Sequence, residues 1–220
     1  MTMPNTSHPA PKMYSAKEAL EASTKFALFM EGQFTFEALK RAQLNMSYIQ
    51  LTDHPKMFTP VYYYNVIESK NEKTMHFVKW VIGQNKKIRR FISDVDLSDE
   101  RFASIKENKD SVRRSLILRS EFSRVCLPRM YVDLLKFIYM DGEERSVDTI
   151  FLSSNNCSLY YALHELKEAD IKVYLLPQKE LNISPTLQNQ AHGLIDFEDL
   201  FKELGCIFSK ESVATQQQEA

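Results

Sequence analysis

The stretch Val147–Leu176, VDTIFLSSNNCSLYYALHELKEADIKVYLL, decides the fold. Val147–Leu152 is a short β-branched and aromatic run, the composition of a buried strand. Ser153-Ser154-Asn155-Asn156-Cys157 is a polar loop without glycine. Leu159, Ala162, Leu163 and Leu166 then recur at helical spacing, so this segment packs one face on a sheet. Ala169-Asp170 closes the helix, and Ile171–Leu176 reads as a second buried strand. Strand, loop, helix and strand in this order make a right-handed crossover between parallel strands. Ligands of such sheets sit beyond the carboxyl ends of the strands. The loop from Ser153 to Cys157 is therefore where chemistry is expected.

The same alternation extends outward. Ser15-Ala16-Lys17-Glu18 has the form of a capping box and opens a helix to about Ser23. Phe26–Met30, FALFM, is continuously apolar, as a central parallel strand should be. A helix follows from Gln33 to about Gln43, and Ser47–Thr52 reads as a helical turn. Val61–Ile67 and Ile88–Ser93 are strands, with a helix over Asn71–Gln84 between them. Ser111–Ser120 reads as a strand, a hairpin partner of Ile88–Ser93. Leu127–Met140 is a helix with Pro128 in its first turn. Pro185–His192 is a short helix, Gly193–Ile195 a last strand and Phe197–Leu204 a closing amphipathic helix. The expected architecture is a three-layer α/β domain over 15–207 with a mostly parallel central sheet, flanked by tails at 1–14 and 208–220.

Composition narrows the class. The chain has 220 residues, is 44% apolar and carries a net charge of −1, enough for one well-filled domain and without an overall polyanion-binding charge. The charge is uneven: Asn85–Arg129 holds 12 Lys+Arg against 7 Asp+Glu, a net of +5 that leaves −6 elsewhere. Lys86, Lys87, Arg89, Arg90, Arg113 and Arg114 form the basic clusters of this strip. They read either as phosphate contacts for RNA or as a solvated face. Cys126, Cys157 and Cys206 are odd in number and lack zinc-site spacing, which fits reduced thiols. No apolar run reaches membrane-spanning length, so a cytoplasmic protein without membrane contact is expected.

The order of these segments resembles the NYN domain family, and within it the LabA-like branch. Phe26–Leu39, FALFMEGQFTFEAL, is similar to the family's opening strand, Asp-Gly-x-Asn turn and helix. Val61-Tyr62-Tyr63-Tyr64 resembles its second strand, and Leu127–Asp133 its Asp-x5-Asp helix start. Phe151–Leu159 is similar to its strand and Ser-Gly-Asp-x-Asp-Phe loop, and Ala191–Leu200 to its closing strand and helix. The resemblance implies a PIN-like Rossmannoid fold and divalent-metal-dependent ribonuclease chemistry. It also shows a thinned site. Glu31 stands where the family carries its first Asp, Phe34 where it carries Asn, Leu127 for the first helix Asp, and Asn155 and Cys157 for the loop carboxylates. Asp133 is retained.

Magnesium and manganese need hard oxygen ligands to place a water against a phosphodiester. Glu31, Asp133 and the Asn155 amide oxygen are the residual catalytic set, with Glu31 and Asp133 the metal ligands if a site survives. Each has a plainer reading: Glu31 as a polar strand end, Asp133 as part of a helical charge cluster with Arg129 and Lys136, Asn155 as a loop former. Phe36 reads as core, and Phe34 as a plug of the cleft or a base-stacking ring. The expectation is a pseudo-ribonuclease acting as an RNA-associated or protein-interaction module, with no cofactor unless Mg or Mn binds a residual site. The alternatives are an active metal-dependent ribonuclease and an oligomerising scaffold, such as a homodimer, without nucleic acid.

Overall fold

A computed structural model describes residues 12–48, 50–72, 86–105, 110–178 and 183–209. Most of the helix expected over Asn71–Gln84 and of both tails lies outside these residues.

The centre is a parallel sheet of β1 (Phe26–Glu31), β3 (Val61–Glu68), β4 (Ile88–Val95), β5 (Thr149–Ser153), β6 (Lys172–Leu175) and β7 (Gly193–Leu194), in the order β4-β3-β1-β5-β6-β7. Side chains alternate across a strand, and both faces are covered, which is why the strands are apolar almost without interruption. Ala27, Phe29, Tyr62, Tyr64, Ile150 and Leu152 face one core. Phe26, Leu28, Met30, Val61, Tyr63 and Phe151 face the other.

Helices α1 (Ala16–Ala22), α2 (Gly32–Arg41) and α7 (Phe197–Glu203) bury residues in the second core. The first core receives α3 (Asp110–Glu121), α4 (Leu127–Tyr139), α5 (Tyr160–Glu168) and α6 (Pro185–Gln188). The result is the expected three-layer α/β Rossmann-like architecture. The Ser15 capping box is formed: its hydroxyl accepts from the Glu18 N–H and its own N–H donates to the Glu18 carboxylate. At the end of α5, Asp170 takes φ +62° while its N–H and that of Ile171 bond back to Lys167 and Leu166, closing the helix before β6.

Four expectations are corrected. Ser111–Ser120 belongs to α3, and β4 pairs in parallel with β3 instead of forming a hairpin with it. Leu44–Met46 and Ile207–Ser209 form a two-stranded antiparallel sheet, β2 with β8. Lys12–Tyr14, expected in the tail, hydrogen-bonds along Leu194 of β7 and so covers that edge. Phe36 is 61% exposed, because it stands on the outer side of α2, while Phe34 is the buried ring.

Candidate functional site

The chain runs from β1 to β3 and β4 on one side, then returns to place β5 on the other. β1 and β5 therefore flank the topological switch point, where open α/β sheets hold their ligands. Glu31 ends β1 there, and Ser153 ends β5. The register Met30↔Ser153 brings the two ends level.

Strand alternation divides the next side chains between the two layers. Ser153 points toward α2, where its hydroxyl lies 3.1 Å from that of Thr35. The Ser154 hydroxyl donates to the Glu31 carboxylate at 2.6 Å and accepts from the Asn156 N–H at 3.2 Å. Glu31 and the Asn155 loop thus meet, as the sequence predicts. Asn155 and Cys157 are exposed on that loop, and Asn156 caps the following turn through the Ser158 N–H.

Glu31 is largely desolvated. Burial pushes its carboxyl above the ordinary value of 4.5, against the pull of the Ser154 hydroxyl and, more weakly, the Arg119 guanidinium. Arg119 is supplied by α3. A π-helical turn, Phe122–Cys126, joins α3 to α4 and lays Cys126 against Asn65 in the middle of β3, with its sulfur 3.4 Å from the Asn65 carbonyl oxygen. The buried Cys126 thiol is pushed up to about 12, first by desolvation, which removes it as a nucleophile at neutral pH. Gly32 lets β3 approach: a Cβ there would stand 2.5 Å from the Tyr63 hydroxyl and 2.6 Å from the Asn65 amide carbon. Beyond it opens a cavity of about 690 Å³ lined in part by Phe36, Met46, Tyr63, Asn65, Arg114 and Leu118.

Asp133 is engaged elsewhere. It is 4% exposed, takes the Tyr64 hydroxyl at 2.8 Å and the Arg129 guanidinium at 3.0 Å, and lies 3.9 Å from that of Arg89. Arg89 is the second residue of β4, so this cluster is directed toward the amino-terminal end of that strand. Leu127 is buried and apolar. Among the described residues no group of three or more His, Cys, Asp or Glu side chains is placed to hold a metal ion. The donors that the NYN resemblance implies therefore do not fit a divalent cation: one is a desolvated acid bonded to Ser154, another is bound by Tyr64 and Arg129.

The basic residues also separate. Lys87 pairs with Asp53 at 3.3 Å. Arg114 pairs with Glu68 at 3.0 Å, at the carboxyl end of β3. Arg113 donates to the carbonyls of Leu97 and Ile105. Arg89 and Arg90 are adjacent on β4 and point to opposite faces. Tyr62 is level with Arg89 and Glu68 with Val95, so the two ends of the strip are roughly 20 Å apart at strand rise. Lys86 precedes β4 and is exposed. The six cations do not form one patch.

Thr35, Arg119 and Cys126 are the site residues that sequence reasoning missed, and Ser154 was placed there only as a member of its loop. Only Ser154 carried a signal, its place in the loop after β5.

Fold and site define a parallel Rossmann-like α/β domain with a hydrogen-bonded acid at its switch point. No family model and no curated protein matches the chain. Among solved structures it is similar to the crystal structure of a protein of unknown function from Vibrio parahaemolyticus, at 14% identity and a TM-score of 0.50, over 80% of this chain and 95% of that one. That likeness speaks to the fold alone. No helix among the described residues is long and apolar enough to cross a membrane.

Proposed function

We propose that the chain is a PIN-like, NYN-type domain whose nuclease centre is degenerate and which works by binding, as a pseudo-ribonuclease module. The observation that carries this reading is the dispersal of the acids. Glu31 is held by Ser154 in a desolvated setting that favours its neutral form, while Asp133 is committed to Tyr64 and Arg129. Catalysis of phosphoryl transfer by a metal needs anionic oxygens gathered around one point. Of the two binding roles, protein interaction is the better supported, because Lys87, Arg89 and Arg114 are each turned toward an acid of the same chain. RNA association rests on the exposed Lys86 and on the family resemblance.

One observation favours an active ribonuclease instead: a carboxyl group still occupies the switch point beside an amide-bearing loop. Incubation with single-stranded RNA and Mg²⁺ or Mn²⁺ tests both readings. The expected result is intact RNA with the parent chain. Metal-dependent cleavage that disappears in Glu31→Gln would replace the pseudo-nuclease reading with the enzymatic one.

A further inference from the structure

The outer layer of a three-layer α/β domain normally turns polar residues to solvent. Helix α4 buries Leu127, Met130, Leu134 and Phe137 in the first core and departs from this pattern on its outer side. Its sequence, LPRMYVDLLKFIY, contains Arg129, Asp133 and Lys136 as its charged residues. Asp133 and Lys136 are buried, the first on Tyr64 and Arg129, the second 3.7 Å from Glu144 and against the rings of Phe58, Tyr62 and Phe137. The solvent side carries a stripe of Pro128, Val132 and Tyr139, with Leu135 between them half-buried against the first core. Val132 is 57% and Tyr139 70% exposed. The stripe continues onto neighbouring surface: Met140 follows it at 52%, and the Tyr139 hydroxyl donates to Glu165 of α5, one turn from Tyr161, itself 68% exposed.

We propose that this face of α4, extended by Tyr161, is the interface of a two-fold homodimer.

Two features select a second copy. The first is charge. Arg129, the stripe's only charged neighbour on α4 outside the buried pair, has its guanidinium on Asp133. A partner recognised through charge would find little to hold. Within the extended face the exposed charge is Glu165 of α5, which the Tyr139 hydroxyl contacts, so a second copy meets mostly apolar surface. The second is area. Val132, Tyr139, Met140 and Tyr161 together offer roughly 400 Å² of apolar surface, taking about 150–250 Å² for a whole aromatic side chain. A standard interface buries about 800 Å² per partner, and homodimer interfaces are about 65% apolar. The stripe supplies most of that apolar share. Its length from Pro128 to Tyr139 is about 16 Å at helical rise, enough for two antiparallel copies of α4 to cross with Val132 near the axis.

Sedimentation velocity of the full chain over about 0.01–200 μM tests this, since interfaces of standard size associate anywhere from the micromolar range downward. The expected result is a concentration-dependent dimer. Val132→Glu and Tyr161→Glu should each weaken it at least tenfold, while the thermal midpoint stays near that of the parent, since both positions lie outside the core. A second arm uses Val132→Cys in a Cys157→Ser background with a short bis-maleimide, which should link two chains in high yield and keeps the question decidable if a glutamate variant misfolds. A monomer throughout the range, a dimer indifferent to both substitutions, or a Val132→Cys variant that does not crosslink would each overturn the assignment. This interface does not depend on the degenerate-nuclease reading: a dimer that cleaves RNA leaves the interface intact and removes that reading alone.

Discussion

Glu31 illustrates how one residue can keep the position of a catalytic acid while its surroundings change its chemistry. Its backbone ends the central strand and its carboxyl group reaches the switch point, yet desolvation raises its proton affinity. The linkage has a definite sign. The folded carboxyl titrates above the ordinary 4.5, so between that value and the folded one the native state binds more protons than the unfolded chain. Stability therefore falls as pH rises through this window, and the loss persists above it. Glu31→Gln keeps an oxygen for the Ser154 hydroxyl and has no proton to lose. In urea unfolding the variant should match the parent below pH 4 and exceed it at pH 7. Equal stability at both values would mean that Glu31 is better solvated than its position indicates. The presence of Glu31 and Asn155 at one point could be read from the sequence, because a strand followed by a polar loop fixes both at the carboxyl edge. Arg119 could not, since it arrives from a segment without a strong pattern of its own.

That segment shows where legibility fails at the scale of elements. SVRRSLILRS alternates poorly at either period and is rich in residues that suit a strand. It forms α3 because the π-helical turn and α4 behind it anchor its end; its fully buried apolar residue is Ile117, while Val112 and Leu116 remain 40% and 43% exposed. Strands β1, β3 and β5 were legible because a parallel strand buried on both faces must be continuously apolar. β2 and β8 were not, being too short to carry a period. For α4 the helix was readable and its orientation was not. Asp133 and Lys136 look like an ordinary surface cluster, and only the packing shows them turned inward. The consequence is measurable. Asp133→Ala orphans the buried Tyr64 hydroxyl, while Arg129 and Arg89, 40% and 46% exposed, can turn to water, so the cost should be about 1–4 kcal/mol: about 1–3 for the hydroxyl and up to about 1 for the half-exposed ion pair. Tyr64→Phe removes one hydrogen bond and leaves Arg129 in place, and should cost about 1–3 kcal/mol. Chemical denaturation of both variants checks the order. A silent Asp133→Ala would return this residue to the list of functional acids.

For the whole molecule, the sheet order β4-β3-β1-β5-β6-β7 sets one place where loops from both halves converge. Topology alone does not make that place a nuclease, since a site requires its particular side chains. It does determine what restoring them should do. Asn155 and Cys157 are both exposed on the loop that Ser154 fastens to Glu31, so an acid at either position can be solvated and costs little in stability. Asn155→Asp with Cys157→Asp would place two anionic oxygens beside Glu31, the ligand type that Mg²⁺ and Mn²⁺ accept. A cation binding there would also draw the Glu31 proton off, because it favours the ionised form. The double variant should therefore be stabilised by Mn²⁺ in a thermal melt, by about 3 kcal/mol once the metal reaches a hundred times its dissociation constant. The parent should not respond, and Glu31→Gln added to the double variant should abolish the response. Leu127 is excluded from the graft because it is buried, and an aspartate there would have to be desolvated before any metal arrived. If Mn²⁺ leaves the double variant unmoved, the loop does not hold positions 155 and 157 near enough to Glu31 for a shared ion, and the likeness to a nuclease centre ends at the level of the fold.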